Sequence, residues 1–168
     1  MEKGFQDYYP DDLSWCYGCG RKNEHGLKIK SFWDGDESVC YFEPRPYHMA
    51  VPGIVYGGLI ASLIDCHSTG TASAAAYRAE GREMGSLPVF RFVTASLHVD
   101  YLRPTPMGSL EIRGRVAEIK GRKVVVDSTV SANGEVCAKG RVVAVNIPEE
   151  LLQSAADHAA RLKPGNKA

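Results

Sequence analysis

The side chain best placed to do chemistry is Asp65, a carboxylate inside the apolar run Leu59–Tyr77. A carboxylate in such surroundings is costly to bury and serves either as a satisfied structural group or as a general base or nucleophile. Eight residues before it stands Gly57-Gly58. Two glycines at the start of a helix let a ligand approach the backbone closely, and the free N–H groups and positive dipole end there suit an oxygen that gains negative charge as a carbonyl is attacked. At ~1.5 Å per helical residue, Gly57 and Asp65 are roughly 12 Å apart, too far for one carbonyl to touch both within a chain. Thr69, one turn after Asp65, is a candidate to orient the carboxylate or a water.

The other histidines and cysteines give weaker signals. His67 lies two residues past Asp65 and points about 200° away from it on a helix, so a structural role is expected, with a replacement base or a substrate contact as the alternative. His98 sits on the Thr94, Ser96 and Asp100 side of its strand and reads as facing a polar surface. Cys16-x-x-Cys19, with His25 nearby, supplies half of a zinc site, but no second pair follows at the usual spacing, so no metal is expected. Cys40, Cys66 and Cys137 sit in apolar runs and read as core residues.

The elements that hold these groups follow from the pattern of the chain. Residues 1–26 show no period and read as an irregular arm. Leu27–Trp33 and Ser38–Glu43 read as two strands around Asp34-Gly35-Asp36. Prolines 44, 46 and 52 break regular structure before a helix from about Tyr56 to Tyr77 or Arg78 that is apolar on more than one side and must therefore be wrapped. A glycine-bearing loop, Ala79–Pro88, is expected to be mobile. The period then changes to two: Phe90–Tyr101, Leu110–Ile119, Lys123–Ala132 and Glu135–Ile147 read as a meander of three or four strands, with Asn133-Gly134 as a hairpin turn. Pro148–Leu162 reads as a short amphipathic helix followed by a tail to 168. Strand, strand, one long apolar helix and a strand meander exclude a parallel α/β fold and predict α+β architecture, an antiparallel sheet curved around a central helix, with the main domain at 27–147.

Composition narrows the function classes. The chain has 168 residues, 44% of them hydrophobic, with 20 basic and 20 acidic side chains. That suits one globular unit and leaves no net field for nucleic acid or an anionic membrane, so a small-molecule partner is expected. The start of the chain lacks a basic segment followed by an apolar one, and five scattered cysteines suit a reducing compartment, so a cytoplasmic location is expected.

Three separated segments carry a family resemblance: PGIVYGGLIASLID (Pro52–Asp65), VTASLHVDYLRPTPMG (Val93–Gly108) and CYGCGRKNEHGLKIK (Cys16–Lys30). Together they resemble the hotdog-fold thioesterases of the PaaI-like and 4-hydroxybenzoyl-CoA type. Tyr56 stands where the family usually has His, and Ala50 where several relatives carry Asn or Gln. The resemblance implies hydrolysis of an acyl-CoA, with Asp65 as base or nucleophile, the Gly57 N–H, helped by Tyr56 and Gly58, on the carbonyl, and Thr94 near the carboxylate. It implies a homodimer that shares each site between subunits, or a dimer of dimers, and no cofactor beyond the coenzyme A of the substrate. Arg103, Lys120, Arg122 and Lys123, at the mouths of the meander turns, are candidates for its phosphates. Two other readings remain: a non-catalytic acyl-CoA binder, and a hotdog enoyl-CoA hydratase or dehydratase, which needs a histidine at the helix start.

Overall fold

The structure, a computed structural model, describes residues 3–161. Its sheet comprises β1 (Phe32–Asp34), β2 (Glu37–Phe42), β3 (Phe92–Tyr101), β4 (Leu110–Lys120), β5 (Lys123–Ala132) and β6 (Glu135–Asn146), and its helices are α1 (Gly57–Ala79) and α2 (Glu149–Arg161). All six strands join one antiparallel sheet in the order β1-β2-β4-β5-β6-β3. The sheet wraps α1, which is the hotdog fold.

Tight turns explain the central hairpins. Asn133 and Gly134 both take left-handed backbone conformations (φ 52° and 78°), as a two-residue turn between twisted strands requires, and they fix the β5–β6 register. Valines and alanines at alternate positions of β5 and β6 then all face inward: Val124, Val126, Val130, Ala138, Val142 and Ala144 are buried. Across the middle of this face Gly114, Ser128 and Gly140 form a row of small residues. A Cβ at Gly140 would come within 2.5 Å of the Ile64 side chain, and one at Gly114 within 2.9 Å of His67 Nε2. The row is a trough into which α1 settles, and every residue of α1 from Cys66 to Tyr77 is buried.

Four features differ from the sequence reading. First, β3 does not begin the meander. It lies beside β6 at the sheet edge, because the Leu102–Ser109 connection, with Pro104 and Pro106, is too long and irregular for a hairpin and carries the chain to the far side of β5. Second, the first strand is only three residues long. Leu27–Ser31 instead pairs with the arm, through Leu27 N–H to Tyr17 O (2.8 Å), Ile29 N–H to Gly18 O (3.0 Å) and Phe5 N–H to Ser31 O (2.8 Å). Third, the 79–88 loop has contacts of its own that its sequence does not show: the Arg82 guanidinium donates to the Ser86 and Pro88 carbonyls and lies over the Tyr77 and Phe90 rings. Fourth, the arm forms two 3-10 turns, Phe5–Tyr8 and Asp11–Leu13, and the second meets α2. Helix α2 starts on the Pro148 carbonyl, which accepts the Leu151 and Leu152 N–H groups, and it buries Leu152; the expected last helical residue, Leu162, and the tail lie outside the described residues. Among the described residues no helix is long and apolar enough to cross a membrane.

Candidate active site

Asp65 sits where α1 leaves the shelter of the sheet. The helix is half-buried at Ala61, Ser62 and Asp65, buried from Cys66 to Tyr77 and exposed at Arg78 and Ala79. The Thr94 hydroxyl on β3 donates to Asp65 Oδ1. It reaches the carboxylate because β3 carries a bulge between Thr94 and Ser96. Thr94 pairs with Ala144, while Leu97 pairs with Val142; both partners are buried, so Thr94 and Leu97 face α1, and Ala95 is the inserted residue. Ser96, His98 and Asp100 consequently point to the other face. The regular alternation expected for this strand, which put Thr94 and His98 on one side, fails at that single residue. His98 is exposed and pairs with Asp100 at 3.1 Å.

The second cluster is the start of α1. Tyr56 is its N-cap residue, with extended backbone and no side-chain cap; its carbonyl takes the N–H groups of Leu59 and Ile60. Among the described residues, the Gly57 and Gly58 N–H groups have no backbone acceptor. Two tyrosine rings flank the pair. Tyr101 donates its hydroxyl to Gly57 O at 2.7 Å, and a Cβ on Gly57 would meet its ring at 3.4 Å. Tyr56 folds against Gly58, where a Cβ would stand 2.4 Å from the ring. Partial burial, with the nearby Tyr56, raises the Tyr101 pKa, so this phenol keeps its proton near neutrality. The turn is anchored from outside: Val55 N–H donates to Thr105 O (2.9 Å) and Met107 N–H to Gly53 O (2.9 Å). Tyr101 is the site residue that sequence reasoning missed. It lies in the Val93–Gly108 segment, but its hydroxyl's partner is 44 residues away in the chain.

A sequence model described as "Thioesterase superfamily" matches residues 52–139, just over half of the chain and the stretch holding both clusters. The chain belongs to the thioesterase superfamily. A thioesterase superfamily protein of known structure from Shewanella loihica PV-4 is 49% identical, aligned over 83% of this chain and 100% of that one, with a TM-score of 0.62. The acyl-coenzyme A thioesterase THEM4 of Xenopus laevis is 37% identical over 98 residues, 58% of this chain and 38% of that protein. That of Rattus norvegicus is 32% identical over 113 residues, 66% of this chain and 43% of that one. This chain spans about two fifths of the length of the curated relatives it matches. A Streptococcus mutans protein determined bound to acetyl-CoA shares the fold, at 21% identity, 71% and 88% coverage and a TM-score of 0.56.

The remaining candidates of this superfamily member are scattered. His67 takes a structural role, and only the alternative, a replacement base or a substrate contact, is corrected: the ring is fully buried on the core side of α1, with Nδ1 2.9 Å from Ser31 Oγ and Nε2 2.9 Å from Ser38 Oγ. Gln6 and Thr71 extend that network. Burial pushes the imidazole pKa down to about 3, so it is neutral. Thr69 is buried, and its hydroxyl bonds back to the Asp65 and Cys66 carbonyls rather than to a carboxylate. The cations do not form one cluster. Arg103 follows Tyr101, at the Gly57 end of β3, and pairs with Glu135 at 3.0 Å. Lys123 pairs with Glu118 at 3.2 Å and, with Lys120 and Arg122, lies at the other end, opposite Val145, which in turn pairs with Val93. His48 precedes the helix, but its ring packs on Phe42 and Tyr47 and its Nδ1 accepts the Arg45 N–H. Ala50 is exposed in a turn closed by Ile54 O.

Proposed function

We propose that this chain hydrolyses the thioester of an acyl-CoA to the free acid and coenzyme A. The observation that carries the reading is the Asp65 carboxylate, half-exposed and oriented by Thr94 at the bulge of an edge strand, on the same helix as an uncapped Gly57-Gly58 start. Asp65 either takes a proton from the attacking water or attacks the carbonyl itself, giving a mixed anhydride that water then opens. The Gly57 N–H stabilises the oxygen as it becomes an oxyanion.

The sheet edge suggests how groups about 12 Å apart along one helix meet one carbonyl. Thr94 and Asp65 lie toward one end of β3, Tyr101 and Gly57 toward the other. Among the described residues the outer edge of β3 has no strand partner, and Val93, Leu97 and Tyr101 are exposed along it. If two copies pair β3 to β3 about a two-fold axis, the strands run antiparallel and each Asp65 faces Gly57 of the partner subunit. The same pairing brings Arg122 and Lys123 of one copy toward Arg103 of the other, assembling cations for the coenzyme A phosphates. The acyl group then lies against Leu97 and Tyr101 at the interface. The location proposed for the reaction is the cytoplasm.

Free-thiol release from short, long and aromatic acyl-CoAs tests the assignment. Turnover of at least one class supports it. Binding without release by any acyl-CoA points to the binder, for which the replacement of His by Tyr56 speaks. A change in enoyl-CoA absorbance points to the hydratase, against which stands Tyr56 in place of the histidine that reaction needs before the glycine pair.

A further inference from the structure

Three thiols that the reaction does not use converge from distant parts of the chain. The Cys16–Gly20 loop of the arm folds over α1 so that the sulfurs of Cys16, Cys19 and Cys66 all lie within 4.8 Å of one another, with Cys16 and Cys66 at 3.6 Å. None is in a disulfide. One metal ion with bonds of about 2.3 Å to three thiolates needs sulfurs roughly 3.8–4.0 Å apart, so this spacing fits with small side-chain shifts.

The loop is shaped around the sulfurs. A Cβ at Gly18 would lie 2.2 Å from Cys66 Sγ, and one at Gly20 would lie 2.4 Å from Cys16 N. Gly20 N–H closes the turn onto Cys16 O at 2.8 Å.

A second observation concerns charge. Beside the cluster the Arg91 guanidinium has a buried Nη1 without a partner and lies 4.2 Å over the Tyr9 ring, whose own hydroxyl is buried and unpartnered. A Cβ at Gly70, one turn past Cys66 on α1, would lie 3.8 Å from that hydroxyl, which sets the Tyr9–Arg91 pair next to the cluster. Three thiolates around a divalent ion carry one net negative charge, which the Arg91 guanidinium offsets.

We infer that Cys16, Cys19 and Cys66 bind a thiophilic divalent ion, zinc foremost, that fastens the amino-terminal arm to the α1 turn bearing Asp65. Binding releases the thiol protons to solvent. Thiolate ligands select zinc over the oxygen-seeking magnesium or calcium. Cys16 is half-exposed, so a water can complete the tetrahedron. His25, exposed and outside the cluster, contributes nothing. The third ligand, Cys66, follows the second by 47 residues, which is why the Cys-x-x-Cys pair looked incomplete in sequence.

The test is titration of the freshly reduced, metal-free full chain with Co²⁺. A thiolate-to-cobalt charge-transfer band should saturate at one ion per chain and bleach on adding Zn²⁺. Cys16→Ser, which leaves the buried thiols in place, should weaken cobalt affinity about tenfold or more and abolish the rise in melting temperature that Zn²⁺ gives the wild type. No band in the reduced chain, or equal affinity and equal zinc stabilisation in Cys16→Ser, overturns the inference, as does a Cys16–Cys66 disulfide in air with no cobalt uptake once it is reduced. Metal affinity and melting are read without a thioester, so this result is independent of the reaction proposed above.

Discussion

Asp65 and His67 are two residues apart on one helix and have opposite fates, which follow from the helix's rotation of about 100° per residue. Asp65 emerges beside the uncovered edge strand, while His67 turns into the trough at Gly114 and is satisfied on both ring nitrogens. The 200° argument from sequence anticipated that they part company, but not which hydroxyls would meet the imidazole, since Ser31 and Ser38 lie far away in the chain. The neutral, buried His67 has a measurable consequence. Its folded pKa of about 3 lies below the unfolded value, so between those values the unfolded chain holds more protons and stability falls as pH falls. The contribution is complete above about pH 6.5 and declines by at most about 1.4 kcal/mol per pH unit below it. Melting temperatures between pH 7.5 and 5 should decrease for the wild type and depend less on pH for His67→Gln. An equal slope in both would show that other groups govern the acid limb.

At the scale of elements, the start of α1 and the bulge of β3 shape the site. The glycine pair and the acid spacing were readable because both lie within one local segment. The bulge was not: Phe90–Tyr101 alternates acceptably in either register, and only pairing with β6 shows that Ala95 is the extra residue. The free N–H of Gly57 can be removed without a new side-chain handle. Tyr56 already has the extended backbone that a residue before proline requires (φ −61°, ψ 129°), and the first helical position tolerates proline. Gly57→Pro should therefore keep the helix, by circular dichroism, and lower kcat about 10²–10³-fold. Unchanged kcat in a folded variant would remove Gly57 from the mechanism.

For the whole molecule, the wrapped helix could be inferred because a long helix without a polar stripe demands enclosure on several sides. The place of β3 could not, since it depends on pairing with a strand that starts more than thirty residues later. That placement leaves β3 at an edge, on which the shared-site account rests. Mixing Asp65→Asn and Gly57→Pro chains after dissociation and reassembly should restore activity to about a quarter of wild type, because half of the dimers are mixed and each of those has one intact site. No recovery in mixed dimers shown to have formed would place both groups in one chain's site. The most direct test of the central claim is free-thiol release from the best acyl-CoA by wild type and Asp65→Asn. The account predicts a kcat about 10²–10⁴-fold lower in a variant that melts normally; full activity in Asp65→Asn would contradict it.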